Sequence, residues 1–389
     1  MPYKQPSVAK NWPAMAPYCP RSFMRLTALS RFFSLGTCTL AVALCTTAPS
    51  TYAASAQDPA LVIEDNDFLG PGGSDIQSTI PLLGNPHIKV LGFTVTTGDD
   101  WENAESAHLR RFLEFAKRTD IPVAEGAVYP LLNTPALMRL HEQEFGRIPW
   151  KGAWGGLGDG TTVPETQPAL PKLPEGLPST PAAQETAALF LIRAVHEHPH
   201  QVTIVAAGPL TNLALAIRLD PSFAATAKHL VFMGGLLDTD LMSVTGNANF
   251  ASDFNMIFDP EAAHITLTAP WPAITVVGNI SNSVAMTKAY MARITQKSTP
   301  VTRYLSQYIS PLPMWDEMTT AIAADPSLVT QSVKAYMDID TSQGSHYGHA
   351  RVWPKDSAPR TQHVREVILV QKIDEARFLN SFMQQAHSL

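Results

Sequence analysis

Short apolar runs alternate with amphipathic stretches along most of this chain. Six runs rich in aliphatic residues are predicted to be strands: 61–65, 88–95, 121–124, 202–207, 229–233 and 273–277. After the second run, apolar side chains recur at the i, i+3, i+4, i+7 spacing of a helix: Leu109, Phe112, Leu113 and Ala116. We interpret Asp99 and Glu102 as a capping box at its start. This alternation predicts an α/β fold with an open, mostly parallel, doubly wound sheet.

One long segment, about residues 130–181, interrupts the alternation. It holds nine of the 32 prolines and the glycine-rich run GAWGGLGDG, and it shows no sustained periodicity. We interpret it as a proline-rich loop insertion. Long loops in compact domains are often lids or binding loops. Trp150 and Trp154 favour a lid over the alternative, a disordered surface excursion, because aromatic side chains are uncommon in purely solvated loops.

The strongest chemical signal lies at residues 61–75. The apolar run Leu61–Ile63 leads into Asp65 and Asp67, and a glycine-rich turn at 70–73 then brings the chain to Asp75. In open α/β sheets, ligands bind beyond the carboxyl ends of the strands. Carboxylates that converge there repel each other unless a hard cation such as Ca²⁺ or Mg²⁺ binds them. A solvated acidic loop is the alternative.

Composition and charge exclude several classes of function. The chain has 389 residues, of which 45% are hydrophobic, so it can bury a large core. Its net charge of -6, without a basic run, argues against nucleic-acid binding, which depends on phosphate neutralisation. All three cysteines (Cys19, Cys38 and Cys45) lie near the N-terminus, so the remainder has no cysteine chemistry.

The first 56 residues are predicted to be separate from the domain at 57–389. From Met24, an alternative start, a positively charged beginning leads into an apolar stretch at 33–45, and Ala54-Ser55-Ala56 has the small-residue pattern of a cleavage site. We therefore expect a secretory signal peptide and a periplasmic or secreted protein. The apolar stretch is too short for a stable membrane anchor.

Two further polar segments carry candidate chemistry. Residues 246–255 interleave amides with a carboxylate, a set that suits hydrogen bonds to a polyhydroxylated ligand, although such residues also favour local turns. Trp315-Asp316 opens a helical stretch after a proline-rich turn and places one more acid there. Each signal alone is moderate.

Taken together, five motifs in this order resemble the inosine-uridine-preferring nucleoside hydrolase family. They are DND at 65–67, GPLTNLALAIRLDP at 208–221, FMGG at 232–235, GNANFASDFN at 246–255 and WDE at 315–317. The resemblance covers residues 61 to about 385, and it is strongest to the secreted, insertion-bearing branch of fungi and some bacteria.

The resemblance implies a Ca²⁺-dependent hydrolase of ribonucleosides. The metal ligands would be Asp67, Asp75, the main-chain carbonyl of Thr211, and Asp316. Asp67 also matches the base that takes a proton from the Ca²⁺-activated water, and Asp65 has a supporting role. The water would attack the anomeric carbon through an oxocarbenium-like state that the surrounding anions stabilise.

The resemblance also implies a set of substrate contacts. Ribose would be bound by Asn247, Asp253 and Asn255. Two positions depart from the family pattern: Ser74 stands where an aspartate usually contacts ribose, and Asp99 stands where an asparagine is usual. For Asp99, a pure helix cap is the alternative.

Base preference depends on an aromatic side chain. Trp315 matches the tryptophan of a purine-preferring branch, where stacking is thought to ease protonation of the leaving base, and Trp101 or Trp154 would be a second stacking partner. A core position for Trp315 is the alternative.

We therefore predict release of ribose and free base from purine nucleosides by a homo-oligomer, a dimer or tetramer. The rival hypotheses are a non-catalytic nucleoside- or sugar-binding protein of the same fold and a hydrolase of another N-riboside.

Overall fold

The computed structural model describes residues 58–146, 148, 150–155, 164–235, 253–308 and 311–389. The chain divides into two units, Met1–Ser55 and Ala56–Leu389, and every described residue belongs to the second. The predicted signal peptide and Asn247 lie outside the described residues. No helix within the described ranges is long and apolar enough to cross a membrane.

Within the described chain, nine strands form one mixed sheet in the order β3-β2-β1-β4-β5-β6-β9-β7-β8. The strands are β1 (Ala60–Asn66), β2 (Ile88–Val95), β3 (Val123–Glu125), β4 (Val202–Ala206), β5 (His229–Met233), β6 (Ile274–Val277), β7 (Val329–Ile339), β8 (Ala350–Trp353) and β9 (Arg365–Ile373). All neighbours from β3 to β9 pair in parallel, whereas β7 pairs antiparallel with both β9 and β8. The predicted open, mostly parallel sheet is confirmed.

Helices connect the strands and cover the sheet. The α-helices of the described chain are α1 (Gly73–Gln77), α2 (Thr79–Leu83), α3 (Glu102–Phe115), α4 (Pro135–Phe145), α5 (Ala187–Glu197), α6 (Thr211–Leu219), α7 (Phe223–Thr226), α8 (Phe254–Phe258), α9 (Pro260–Thr268), α10 (Lys288–Ile294), α11 (Pro300–Gln307), α12 (Trp315–Ala324) and α13 (Glu375–Ser388). Short 3-10 helices lie at Gly152–Trp154, Asn279–Ser283, Pro326–Leu328 and Lys355–Ser357.

The parallel strands β1 to β6 are buried on both faces, which is why they consist of nearly unbroken apolar runs. Successive residues of a strand point to opposite faces. Val62 therefore packs with side chains of α3, α12 and α13, whereas Ile63 packs with those of α5, α6 and α9. The two cores fix the carboxyl ends of β1, β2 and β4 next to each other.

The six predicted strands are confirmed, with ends that agree within two residues. The predicted capping box at α3 is wrong. The N-cap of α3 is Trp101, with no side-chain cap, and the amide of Glu102 donates to Thr97 Oγ1 at 3.0 Å. The Asp100 amide, just before the N-cap, donates to Glu105 Oε1 in the first turn of α3 at 2.7 Å.

The insertion contains more regular structure than the sequence predicts. Its first half forms α4, where Thr134 caps the helix by accepting a hydrogen bond from the Leu137 amide at 3.1 Å. Its second half is fastened along α3, because Glu114 Oε1 accepts from the amides of Ser179 and Thr180 at 2.6 and 2.8 Å. A disordered surface excursion is therefore the wrong description for the described part.

Candidate active site

Asp67 lies just beyond the end of β1, between two glycines that follow the neighbouring strands. A Cβ atom at Gly98, after β2, would lie 2.0 Å from Asp67 Oδ2. A Cβ atom at Gly208, after β4, would lie 2.7 Å from Asp67 Oδ1. Only glycine leaves room for the carboxylate at either position, so the sheet edge is shaped around Asp67.

Hydrogen bonds fix the orientation of this buried side chain. The Asp99 amide donates to Asp67 Oδ2 at 2.9 Å, and the Asp67 amide donates to Asn66 Oδ1 at 2.9 Å. Asn66 also reaches Asp316, since its Nδ2 donates to Asp316 Oδ2 at 3.3 Å. Sequence reasoning missed Asn66, although it lies between two acids at the end of a strand.

Two further acids complete the cluster from distant parts of the chain. Asp75 lies in α1 and Asp316 is the second residue of α12, and both are buried. The two carboxyl groups lie close enough for the charge of Asp316 to raise the pKa of Asp75, after the larger effect of burial, and Asp75 Oδ2 accepts from the Leu69 amide at 3.1 Å. The structure thus brings Asp67, Asp75 and Asp316 together, with Asp99 beside them.

These four acids destabilise one another as anions. Burial, followed by the charges of Asp99 and Asp316, holds the pKa of Asp67 well above its usual range. Burial and the same kind of repulsion raise the pKa of Asp75, and burial raises the pKa of Asp99 to about 7 and that of Asp316 to about 6. None of the salt bridges within the described residues involves any of the four.

The donor set fits a hard cation. Buried carboxyl groups this close to one another are stabilised by protonation or by a bound cation, and oxygen-only ligands suit Ca²⁺ or Mg²⁺. The part of the chain that is described contains no group of three or more His, Cys, Asp or Glu side chains already arranged to hold a metal ion. The assignment of Asp67, Asp75 and Asp316 as ligands therefore stays a prediction.

Thr211 lies at the start of α6, on the same edge of the sheet. Its hydroxyl donates to Asp259 Oδ2 at 2.8 Å, and the side chain is almost fully buried. The side chain therefore joins α6 to the start of α9. The role predicted for its main-chain carbonyl as a metal ligand stays a prediction.

The family follows from comparison with known proteins. The sequence profile described as inosine-uridine preferring nucleoside hydrolase matches residues 62–380. The chain belongs to this family. It is 33% identical over 329 residues to an uncharacterised protein of Schizosaccharomyces pombe, covering 79% of this chain and 80% of that one. It is also 33% identical over 248 residues to the probable uridine nucleosidase 2 of Arabidopsis thaliana, covering 64% and 68% of the two chains.

A solved structure agrees with the family assignment. A plant nucleoside hydrolase superposes with a TM-score of 0.65 at 25% identity, covering 85% of this chain and 99% of its own. The protein is therefore a nucleoside hydrolase, an enzyme that cleaves ribonucleosides. The enzyme interpretation is favoured over that of a non-catalytic binding protein.

In this hydrolase, Ser74 has different contacts from those that the family pattern implies. Its hydroxyl donates to Glu317 Oε2 at 2.7 Å and accepts from the Asp316 amide at 3.0 Å. The side chain is only 5% exposed. Ser74 therefore connects α1 to the start of α12, and a direct contact with ribose stays a prediction.

The supporting role of Asp65 has a clear physical form in the structure. Asp65 Oδ1 accepts hydrogen bonds from Asn212 Nδ2 at 2.8 Å and from Thr94 Oγ1 at 2.5 Å. These bonds join β1 to β2 and to α6. Asp65 therefore fixes the strand end that carries Asp67.

The predicted ribose-binding residues that can be described lie at the same edge. Asn255 Nδ2 donates to the Ala207 carbonyl, directly after β4, at 2.5 Å. Asp253 caps α8 by accepting from the Met256 amide at 3.0 Å. Both side chains are buried, and their contact with ribose stays a prediction.

The aromatic side chains divide into two groups. Trp315 is half-buried at the start of α12, and its indole N–H donates to Asn282 Oδ1 at 2.8 Å. Trp101 and Trp154 are only 3% and 4% exposed, and they belong to one buried cluster with Phe258. The role of either as a second stacking partner stays a prediction. Trp150 is half-buried and donates its indole N–H to Asp99, a contact that sequence reasoning missed.

Proposed function

We propose that this nucleoside hydrolase uses Ca²⁺ to cleave the N-glycosidic bond of ribonucleosides, with a preference for purine nucleosides. The observation that carries the proposal is the gathering of three buried acids, Asp67, Asp75 and Asp316, without a cationic partner among the described residues. Their mutual repulsion is relieved when a divalent cation binds between them. Thr211 would complete the protein ligands.

The chain's own residues have distinct parts in the reaction. Asp67, fixed between two glycines, is placed to take a proton from the attacking water. The remaining acids and amides at the sheet edge would orient the ribose and stabilise the positive charge that develops on it. When bound, Ca²⁺ would lower the pKa of a coordinated water and take ribose hydroxyls as ligands, which would select ribonucleosides over deoxyribonucleosides.

The purine preference rests on Trp315. Its indole N–H is held by Asn282, so the ring is fixed at the start of the helix that also carries Asp316. A fixed, half-buried indole suits stacking with a leaving base, and a purine offers the larger surface. The name of the similar Arabidopsis protein points instead to uridine, so the base ranking is the decisive observation.

The test is ribose release from inosine, guanosine, adenosine, uridine and cytidine by the chain that begins at Gln57, with and without a Ca²⁺ chelator. We expect chelator-sensitive release, fastest with a purine nucleoside. Asp67→Asn should lower kcat by about 10²–10⁴-fold, the usual contribution of a general base. Asp338→Asn, a buried aspartate on β7, is the matched control and should keep activity.

Each outcome addresses a separate part of the proposal. Fastest release from uridine would overturn the purine preference alone. Release that survives the chelator would remove Ca²⁺ from the reaction. A folded enzyme that releases no ribose from any of the five would redirect the search to another N-riboside.

Binding of Ca²⁺ can also be measured without turnover. A ligand at 100 times its Kd stabilises the folded state by about 2.7 kcal/mol, so added Ca²⁺ should raise Tm. The variants Asp75→Asn and Asp316→Asn should lose this rise. A rise of the same size in both variants would show that Ca²⁺ binds elsewhere.

We also propose that the enzyme acts outside the cytoplasm, as a dimer or tetramer. The leader-like pattern before Gln57 supports export. The N-terminal sequence of the protein recovered from the periplasm or medium tests the first point, and light scattering of the purified enzyme tests the second.

A further inference from the structure

Residues 150–155 of the insertion form a turn that lies directly against the loop carrying Asp99. The Ala153 amide donates to the Gly98 carbonyl at 2.9 Å. A Cβ atom at Gly152 would lie 2.0 Å from that same carbonyl oxygen, so the two backbones approach as closely as glycine allows. This approach puts the Trp150 indole N–H onto Asp99 Oδ1.

The turn is also held from its other side. The Trp154 ring packs against Phe258, with 4.4 Å between ring centroids. Lys151 Nζ lies 2.9 Å from Glu142 Oε2 of α4. Contacts that do not involve Asp99 therefore hold the turn that carries Trp150. The Trp150 indole is fixed beside the Asp99 carboxylate by these contacts.

Asp99 connects this turn to the centre of the site. Its amide donates to Asp67 Oδ2, and its carboxylate faces the acid cluster. Negative charges on Asp67 and Asp316 push such a carboxylate away unless a donor holds it. A lysine or arginine would hold it but would also neutralise it. Tryptophan has one N–H donor and no charge, so it fixes the carboxylate and leaves its negative charge in place.

We propose that Trp150 is a positioning residue for Asp99 and, through the Asp99 amide, for Asp67. The insertion thereby supplies part of the active site. The proposal rests on the proposed function for its kinetic readout, and it has a second readout that does not depend on activity. A direct contact between the Trp150 ring and the nucleobase is the competing explanation that the experiment separates.

The kinetic experiment is a double-mutant cycle with a matched control. Trp150→Phe keeps a ring and removes only the N–H, so kcat/KM should fall about 10–100-fold, as expected when a hydrogen bond to a charged group is lost. Trp353→Phe is the same chemical change at a half-buried indole of β8, the edge strand far from the site in the sheet order, and kcat/KM should stay within about twofold of the wild type.

The cycle is completed with Asp99→Ala. If Trp150 acts through Asp99, adding Trp150→Phe to Asp99→Ala should change kcat/KM by less than about twofold. If the two losses multiply, or if the Trp150→Phe effect differs between inosine and uridine, the ring contacts the substrate and the positioning role is overturned.

Hydrogen exchange of the substrate-free protein supplies the independent readout. The Asp99 amide, bonded to Asp67 Oδ2, should exchange at least about 10-fold faster in Trp150→Phe, because its loop loses an anchor. Trp353→Phe should leave exchange at residues 98–101 unchanged. Unchanged exchange at Asp99 in Trp150→Phe would overturn the proposal even if the wild-type enzyme cleaved none of the nucleosides tested.

Discussion

Gly98→Ala is the substitution that most directly tests how the sheet edge holds Asp67. The new methyl carbon would lie 2.0 Å from Asp67 Oδ2, 2.5 Å from its Cβ and 2.6 Å from its Cγ. A carbon atom and a non-bonded oxygen ordinarily stay about 3.3 Å apart or more, so the carboxylate must retreat by more than about 1 Å. On the β4 side the carboxylate is next to Gly208, where a built Cβ would lie 2.7 Å from Asp67 Oδ1, so retreat in that direction brings it towards the Gly208 backbone.

The size of the effect follows from what the carboxylate must give up. Rotation away from Gly98 breaks the hydrogen bond from the Asp99 amide, and a bond to a charged group contributes about 1.5–3 kcal/mol. We therefore expect the free energy of unfolding to fall by about 1–3 kcal/mol. Activity should fall further, since a misplacement of about 1 Å costs on the order of 10²-fold in rate.

The assay combines urea unfolding with ribose release at a temperature where the variant remains folded. Gly344→Ala is the matched control, because its Cβ would meet no heavy atom within 4 Å and its φ is not in the left-handed region. We expect the control to match the wild type and Gly98→Ala to lose about 100-fold or more in kcat/KM. Wild-type kcat/KM in a folded Gly98→Ala enzyme would refute a reaction centred on Asp67 at this position.

Three further changes have defined expectations. Ser74→Ala leaves the buried Glu317 without its serine donor, so the free energy of unfolding measured in urea should fall by about 1–3 kcal/mol. An unchanged free energy of unfolding would exclude this hydrogen bond as a stabilising contact. Thr134→Ala removes the N-cap of α4, so hydrogen exchange across that helix should be faster while ribose release is unchanged. Slower ribose release in this variant would contradict the expectation. The hydrogen bond to Asp338 raises the pKa of His264, so this pair stabilises the fold below the unfolded pKa of about 6.5. The stabilisation is lost as pH rises through the higher folded pKa. Asp338→Asn should therefore flatten this part of the Tm–pH curve, and an unchanged curve would exclude the pair as the source of the pH dependence.

The parallel half of the sheet could be predicted because burial on both faces leaves a clear apolar signal. The antiparallel half could not. In β7, the residues from Thr330 to Lys334 are exposed, so its sequence VTQSVKAYMDI shows neither a continuous apolar run nor a clean alternation. β8 has only four residues, and its side chains are exposed or half-buried. Their position in the sheet depends on pairing with β9, which no local pattern encodes.

The acids of the site could be predicted because carboxylates that follow a buried strand lie at the edge where ligands bind. The contacts that orient them could not, since they join residues far apart in the chain. Asp99 illustrates the difference. Its local sequence satisfies the capping pattern, yet α3 begins at Glu102 and the Asp99 carboxylate binds Trp150, 51 positions away. Short-range pattern and tertiary contact compete for the same side chain, and the tertiary contact is the one observed.

The two departures from the family pattern compensate each other in charge. Ser74 removes one carboxylate from the site, and its hydroxyl instead ties Glu317 to the start of α12. Asp99 adds one carboxylate where an asparagine is usual, so the number of acids around Asp67 is conserved. An asparagine could supply its own donor to a neighbouring acid, whereas a carboxylate needs a donor from elsewhere. In this chain the donor is Trp150, a residue of the insertion.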